Sequence, residues 1–120
     1  MVVFDSNIFI YAGNETIDLS VMKGVDACYA SVSIIEVLGF HRITAAEQRV
    51  LQRILSAYQS LELTPSIIEQ ATTLRQNKKM SLGDAIVAAT ALENDMVLWT
   101  ANTDDFKHID GLKLFNPLHR

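Results

Sequence analysis

Apolar and polar positions along this chain switch between two periods. Met1-Val2-Val3-Phe4 is an unbroken apolar run rich in β-branched residues, which predicts a short buried strand ending at Asp5. Ser6 and Asn7 then suit the cap of a helix that opens with Ile8-Phe9-Ile10 and breaks at Gly13-Asn14. Residues 18–24 predict a second short helix, and 26–32 a β-capable stretch that turns helical from Ser33 to Phe40. From Thr44 to Tyr58, Val50, Leu51, Ile54, Leu55 and Tyr58 share one face of an amphipathic helix. Leu61-Glu62-Leu63 alternates as a minimal strand. Thr64-Pro65 opens a further helix that runs to about Lys78, with proline at its first position. The helix from Ser81 to Asn94 is apolar almost all round, so it belongs in the core. Met96 to Thr100 is a strand, Asn102 to Asp105 a polar loop, and Leu112 to Phe115 a last strand.

Strands alternating with helices predict a parallel sheet covered by helices. The fold class is therefore α/β, a three-layer α/β/α arrangement with a short four- or five-stranded, mostly parallel sheet. No linker, repeat or low-complexity tract divides the chain, so residues 1–120 read as a single domain.

Composition narrows the function. No apolar run is long enough to span a bilayer, and no signal-peptide pattern opens the chain, so no membrane partner is expected. Cys28 is alone in an apolar setting and reads as a buried small residue, which suits a reducing, cytoplasmic location. The net charge of −4 argues against gripping nucleic acid by charge alone. It leaves open a carboxylate site that recruits divalent cations, which then supply the positive field for phosphates.

The acids give that possibility substance. Asp5 follows the first strand, and ligands of open α/β sheets collect at the carboxyl ends of strands. Glu36 is expected in the first turn of one helix and Asp84 in the first turn of the buried one, while Asp104 and Asp105 follow Val97-Leu98-Trp99. Each also has a plain structural reading. Asp5 can cap a helix, and Ser33-x-x-Glu36 and Ser81-x-x-Asp84 have the form of capping boxes, as does Thr44-x-x-Glu47. Asp84 resists that reading, because its helix has no polar face and offers no Lys or Arg at i+3 or i+4. Clustered carboxylates repel, hard cations relieve the repulsion, and oxygen-only ligands favour Mg²⁺ or Mn²⁺. His41, His108 and His119 lack the spacing of a zinc site.

The chain resembles PIN-domain ribonucleases, and most of all the small VapC-type toxins of toxin–antitoxin pairs. The resemblance is carried by Val3-Phe4-Asp5-Ser6-Asn7-Ile8, Ser33-Ile34-Ile35-Glu36, Gly83-Asp84-Ala85-Ile86-Val87-Ala88-Ala89, residues 98–106 and Leu114-Phe115-Asn116-Pro117, in order and over nearly the full length. It implies that Asp5, Glu36, Asp84 and Asp105 are catalytic and bind Mg²⁺ or Mn²⁺, with Asn7, Thr100, Asn102 and Asp104 supporting them. Asn102 stands where many members carry an acid, which is why Asp105 is preferred as the fourth and Asp104 held in reserve. Members often have arginine at the position of Ala101. The resemblance further implies RNA as substrate and an antitoxin protein as partner, and the apolar content of so small a domain predicts a homodimer. Arg75, Lys78 and Lys79 are weaker candidates for phosphate contacts, since they also read as a solvated helix end. The rival readings are a receiver-type signalling domain and a non-catalytic binding module. The first wants an acidic pair at the first strand end and a lysine after a late strand, and the chain has neither. An Asp-x-Asp phosphatase is disfavoured by Asn7.

Overall fold

A computed structural model describing residues 1–118 gives, in chain order, β1 Val2–Phe4, α1 Ser6–Gly13, α2 Leu19–Met22, β2 Ala27–Ala30, α3 Val32–Leu38, α4 Ala45–Ser56, β3 Gln59–Leu61, α5 Pro65–Asn77, α6 Leu82–Glu93, β4 Val97–Trp99, a 3₁₀ turn Thr103–Asp105 and β5 Leu114–Phe115. His119 lies outside the described residues. The five strands form one sheet in the order β3-β2-β1-β4-β5, with every pairing parallel. The α/β/α expectation therefore holds.

The first strand is the middle one, and its alternation builds both cores. Successive side chains of a strand point to opposite faces. Val3 packs on one side with α5 and α6, together with Cys28, Ala30 and Leu98. Phe4 packs on the other with Ile8, Phe9 and Ala12 of α1 and Leu55 of α4. On that second side the rings cluster: Phe4 lies 5.7 Å from Phe9, 5.1 Å from Tyr58 and 5.2 Å from Trp99, centroid to centroid. Such pairs add about 0.5–1.5 kcal/mol each beyond the area they bury.

α6 is the core helix that its all-round apolar pattern predicts. Residues 85–91 are all buried. Four of the seven are alanines (Ala85, Ala88, Ala89 and Ala91), whose small side chains let neighbouring elements approach closely. Ser81 caps it by accepting from the Asp84 N–H at 3.1 Å.

Among the boundaries that differ from expectation, three have a clear physical reason. β3 is Gln59–Leu61 rather than Leu61-Glu62-Leu63. It is an edge strand, held through main-chain pairing of Cys28 with Gln59, Tyr29 with Ser60 and Ala30 with Leu61, so it needs no apolar alternation. α1 is capped by Asp5, with Ser6 already helical, instead of by Ser6 and Asn7. α3 begins at Val32 behind Ser31, two residues before the expected cap at Ser33, so Glu36 is its fifth residue and lies beyond the first turn.

One polar group is badly housed. Both ring nitrogens of His108 are shut from solvent without a hydrogen-bond partner among the described residues. A buried group left unpaired costs about 1–3 kcal/mol. His108→Leu should therefore raise the unfolding midpoint in urea at unchanged m-value. A lowered midpoint would show that the imidazole is paired in solution.

Candidate functional site

The strand order reverses between β1 and β4, since the chain runs outward from β1 in one direction and then returns beside it as β4. Such a switch point opens a crevice at the carboxyl ends of the strands. Asp5 ends β1 and Thr100 ends β4, and they meet there. The Thr100 hydroxyl donates to Asp5 Oδ2 at 2.9 Å, and the Ser6 N–H donates to Oδ1 at 2.8 Å. Thr100 Oγ1 in turn accepts the Asn102 N–H at 3.0 Å. Asp5 is 4% exposed and Thr100 fully buried, so this contact lies in low dielectric.

Burial pushes the Asp5 carboxyl up to about 6, against the pull of the Thr100 hydroxyl; the charges of Asp84 and, more weakly, Glu36 push it further the same way. Burial also raises Asp84, with help from the charges of Asp105 and Glu36 and opposition from the Ser81 hydroxyl. Charges carried on α3 and on the 3₁₀ turn after β4 thus reach the end of β1 and the first turn of α6: Glu36 acts on both Asp5 and Asp84, and Asp105 on Asp84.

Glu36 does not close a capping box. Ser31, at the start of α3, makes no side-chain cap bond. The Glu36 carboxylate instead takes the hydroxyl of Ser6 at 2.7 Å, and Ser6 Oγ also lies 2.9 Å from Ser33 Oγ. Thr44 and Glu47 do form a complete box, with bonds of 3.0 and 3.1 Å, so the same sequence pattern has a purely structural outcome there.

The two acids after β4 part company. Asp104 is exposed and bridges to Lys107 at 3.1 Å. Asp105 is the one whose charge acts on Asp84. Asn7 is half-buried in the first turn of α1, and Asn102 stands at the start of the 3₁₀ turn without a side-chain cap bond. The basic residues are not gathered to the acids. Arg75 donates from Nε to the Met80 carbonyl at 3.2 Å and holds the loop after α5. Lys78 and Lys79 line, with Leu63, Ile68 and Leu82, a groove to which none of the four acids contributes. Sequence reading missed Ser6 and Gly83 as neighbours of Glu36, and it paired Ser33 with Glu36 only as a capping box. A serine and a glycine carry no pattern of their own, and only the packing of α1 and α6 against α3 joins them.

Carboxylate oxygens backed by hydroxyls are the donor set for a hard divalent cation such as Mg²⁺ or Mn²⁺. Among the described residues no salt bridge reaches any of the four acids. Nor do any three His, Cys, Asp or Glu side chains there stand as a ready ligand set. The carboxylates are close enough to repel but are not drawn into one shell. The donor chemistry fits the ion, and closing the shell requires side-chain movement.

Comparison with known proteins agrees with the fold. The family model of the PIN domain matches residues 2–112. No significant match was found among curated proteins. Among solved structures the chain is similar to a toxin–antitoxin complex from Klebsiella pneumoniae, at 25% identity and TM-score 0.76 over 98% of both chains. It is also similar to VapBC2 from Rickettsia felis bound to a DNA fragment from its promoter, at 22% identity and TM-score 0.82 over 97% of this chain and 98% of that one. FitAcB from Neisseria gonorrhoeae matches at 20% identity and TM-score 0.71 over the whole of both chains.

The raised Asp5 carboxyl has a consequence for stability. The folded state holds this proton more tightly than the unfolded chain does, so ionisation favours unfolding. The penalty is absent below pH 3.8, grows as pH rises to about 6, and is complete above that. Two units correspond to about 3 kcal/mol, offset by about 1 kcal/mol for rearranging the Thr100 bond when the carboxylate becomes an amide. In EDTA, Asp5→Asn should stabilise the protein by about 2 kcal/mol near pH 8 and, with the ionisation penalty almost gone and the offset remaining, leave it slightly less stable than the wild type near pH 4. Chemical denaturation across that range is the check, and a pH-independent difference would refute the assignment.

Proposed function

This chain belongs to the PIN-domain family, and on that footing we propose that it is a ribonuclease dependent on Mg²⁺ or Mn²⁺, the toxin of a toxin–antitoxin pair. The observation that carries the reading is the buried Asp5 beside Asp84 at the switch point, both pushed up by burial and by neighbouring acid charge from Glu36 and Asp105, with no salt bridge to any of the four among the described residues. A protein keeps such a cluster against its own stability when a ligand repays it.

Asp5, Asp84 and Asp105 would hold a metal ion, with Glu36 available to a second. When bound, the ion supplies a lowered pKa for a water and a positive field for the phosphate. The chain's own residues do the rest. Thr100 and the Ser6 N–H fix both oxygens of Asp5, so this ligand is oriented before anything binds. Asp5 releases its proton as pH rises through about 6, so the site is charged at neutral pH. Burial around Asp5 and Thr100 keeps that charge in low dielectric, where it acts most strongly.

The partner reading rests on the named complexes together with a second groove. Ile10, Val37, Phe40, Ile43 and Val50 line an apolar trough with Glu36 on its wall. An antitoxin segment laid there would place a basic side chain against the acids. Ile68 and Leu82, 50% and 58% exposed, are the apolar surface that a second copy of the chain would cover. A monodisperse monomer at high micromolar concentration would remove the dimer.

The chain alone should cut RNA with Mg²⁺ or Mn²⁺, lose cleavage in EDTA, and lose it by orders of magnitude in Asp5→Asn and Asp84→Asn. Glu47→Gln, in the true capping box, should lower stability by up to about 1 kcal/mol and leave cleavage unchanged. Protons and metal compete for Asp5, so cleavage should fall below about pH 6, and more Mg²⁺ should move that limb to lower pH. Cleavage that persists in EDTA, or is absent across a broad RNA panel, would overturn the reading.

A further inference from the structure

Glu36 is mounted differently from the other acids. It stands on an exposed stretch of α3, where a free glutamate would sample many rotamers. Its tip is nonetheless held from two sides. Ser6 Oγ lies 2.7 Å from Glu36 Oε1 and 2.9 Å from Ser33 Oγ, and both serines are buried. A hydroxyl has one proton and an ionised carboxylate only accepts. The Ser6 proton therefore goes to Glu36, and that of Ser33 goes to Ser6. The order Ser33 to Ser6 to Glu36 is the one in which each proton has an acceptor.

On the other side is Gly83, in the first turn of α6. A Cβ at this position would lie 2.8 Å from Glu36 Cδ and 3.0 Å from Oε1, and would collide with Oε2. Gly83 is thus required by the space the carboxylate occupies. What would yield is the end of a flexible side chain, so a methyl group there moves Glu36 rather than the fold.

We propose that Ser33, Ser6 and Gly83 form a seat that fixes the Glu36 carboxylate beside Asp84, making all three positioning residues for the site. Their role in catalysis rests on the nuclease reading; their role in placing Glu36 does not. The seat also links the acids in sequence: Ser6 gives its N–H to Asp5 and its hydroxyl to Glu36, so one residue aligns two carboxylates.

Ser6→Ala and Gly83→Ala test it, each alone and in a Glu36→Gln background. The readouts are Mn²⁺ affinity by calorimetry, RNA cleavage, and the Glu36 carboxyl resonance in ¹³C-glutamate-labelled, metal-free protein. Supporting partners of metal ligands typically contribute about 10–100-fold to affinity or activity. Each single variant should fall in that range and shift the Glu36 resonance, while Gly83→Ala keeps a wild-type unfolding midpoint. In the Glu36→Gln background neither substitution should have a further effect, because both act through Glu36. Additive losses in that background, or an unmoved resonance, would overturn the seat. A wild-type protein that binds no Mn²⁺ and cuts no RNA would instead overturn the nuclease reading, and the resonance would still decide whether the seat exists.

Discussion

The Asp5–Thr100 hydrogen bond is the contact around which this molecule is arranged. It joins the ends of β1 and β4 at the place where the sheet reverses its order. The same Asp5 caps α1, so the path of the chain leaving the first strand and the orientation of the first acid are set by one carboxylate. Burial makes the arrangement rigid and also makes it costly. A charge at this depth is stabilised by two donors, yet it remains harder to ionise than an aspartate in water. The donors offset burial without overcoming it, and the neighbouring acids tip the balance further. Stability is therefore given up at one residue, and such perturbed groups are enriched where folds build electrostatic sites.

The rest of the fold supports that point by ordinary packing. β1 is central, so its side chains reach both cores: Val3 helps seat α5 and α6, and Phe4 anchors the aromatic cluster under α1 and α4. α6 is clamped by seven consecutive buried residues, which fixes Asp84 at its start. The acids are thus carried on the most constrained elements, except Asp105, which rides an exposed 3₁₀ turn. An acid on the rim moves more easily than one in the floor, so Asp105 is the acid that packing holds least.

Much of this was legible in the chain because the signals were strong and local. The apolar run before Asp5, the all-round apolar helix after Asp84 and the polar turn after Trp99 each have one sensible reading, and together they imply a parallel sheet with acids at its edge. What escaped was set by tertiary contact. β3 is an edge strand whose Gln59 and Ser60 are exposed, so pairing with β2 made it a strand where side-chain pattern could not. The choice between Asp104 and Asp105 turns on which way a 3₁₀ turn faces, and Lys107 takes the first of them.

The three Ser/Thr-x-x-acid patterns show the same division most sharply. Thr44-x-x-Glu47 sits at the exposed start of α4, and both reciprocal bonds form. In Ser81-x-x-Asp84 the hydroxyl caps the helix, while the acid is half-buried and answers to the charges of Asp105 and Glu36. In Ser33-x-x-Glu36 the helix has started two residues early and the serine is buried against Ser6, so no box is available. The local bonds of a capping box are worth about 1 kcal/mol. Packing a helix start against a core, or setting two carboxylates face to face, involves several times that. Where core packing and charge repulsion are absent the motif behaves as a cap, and where they are present the same four residues become part of a site.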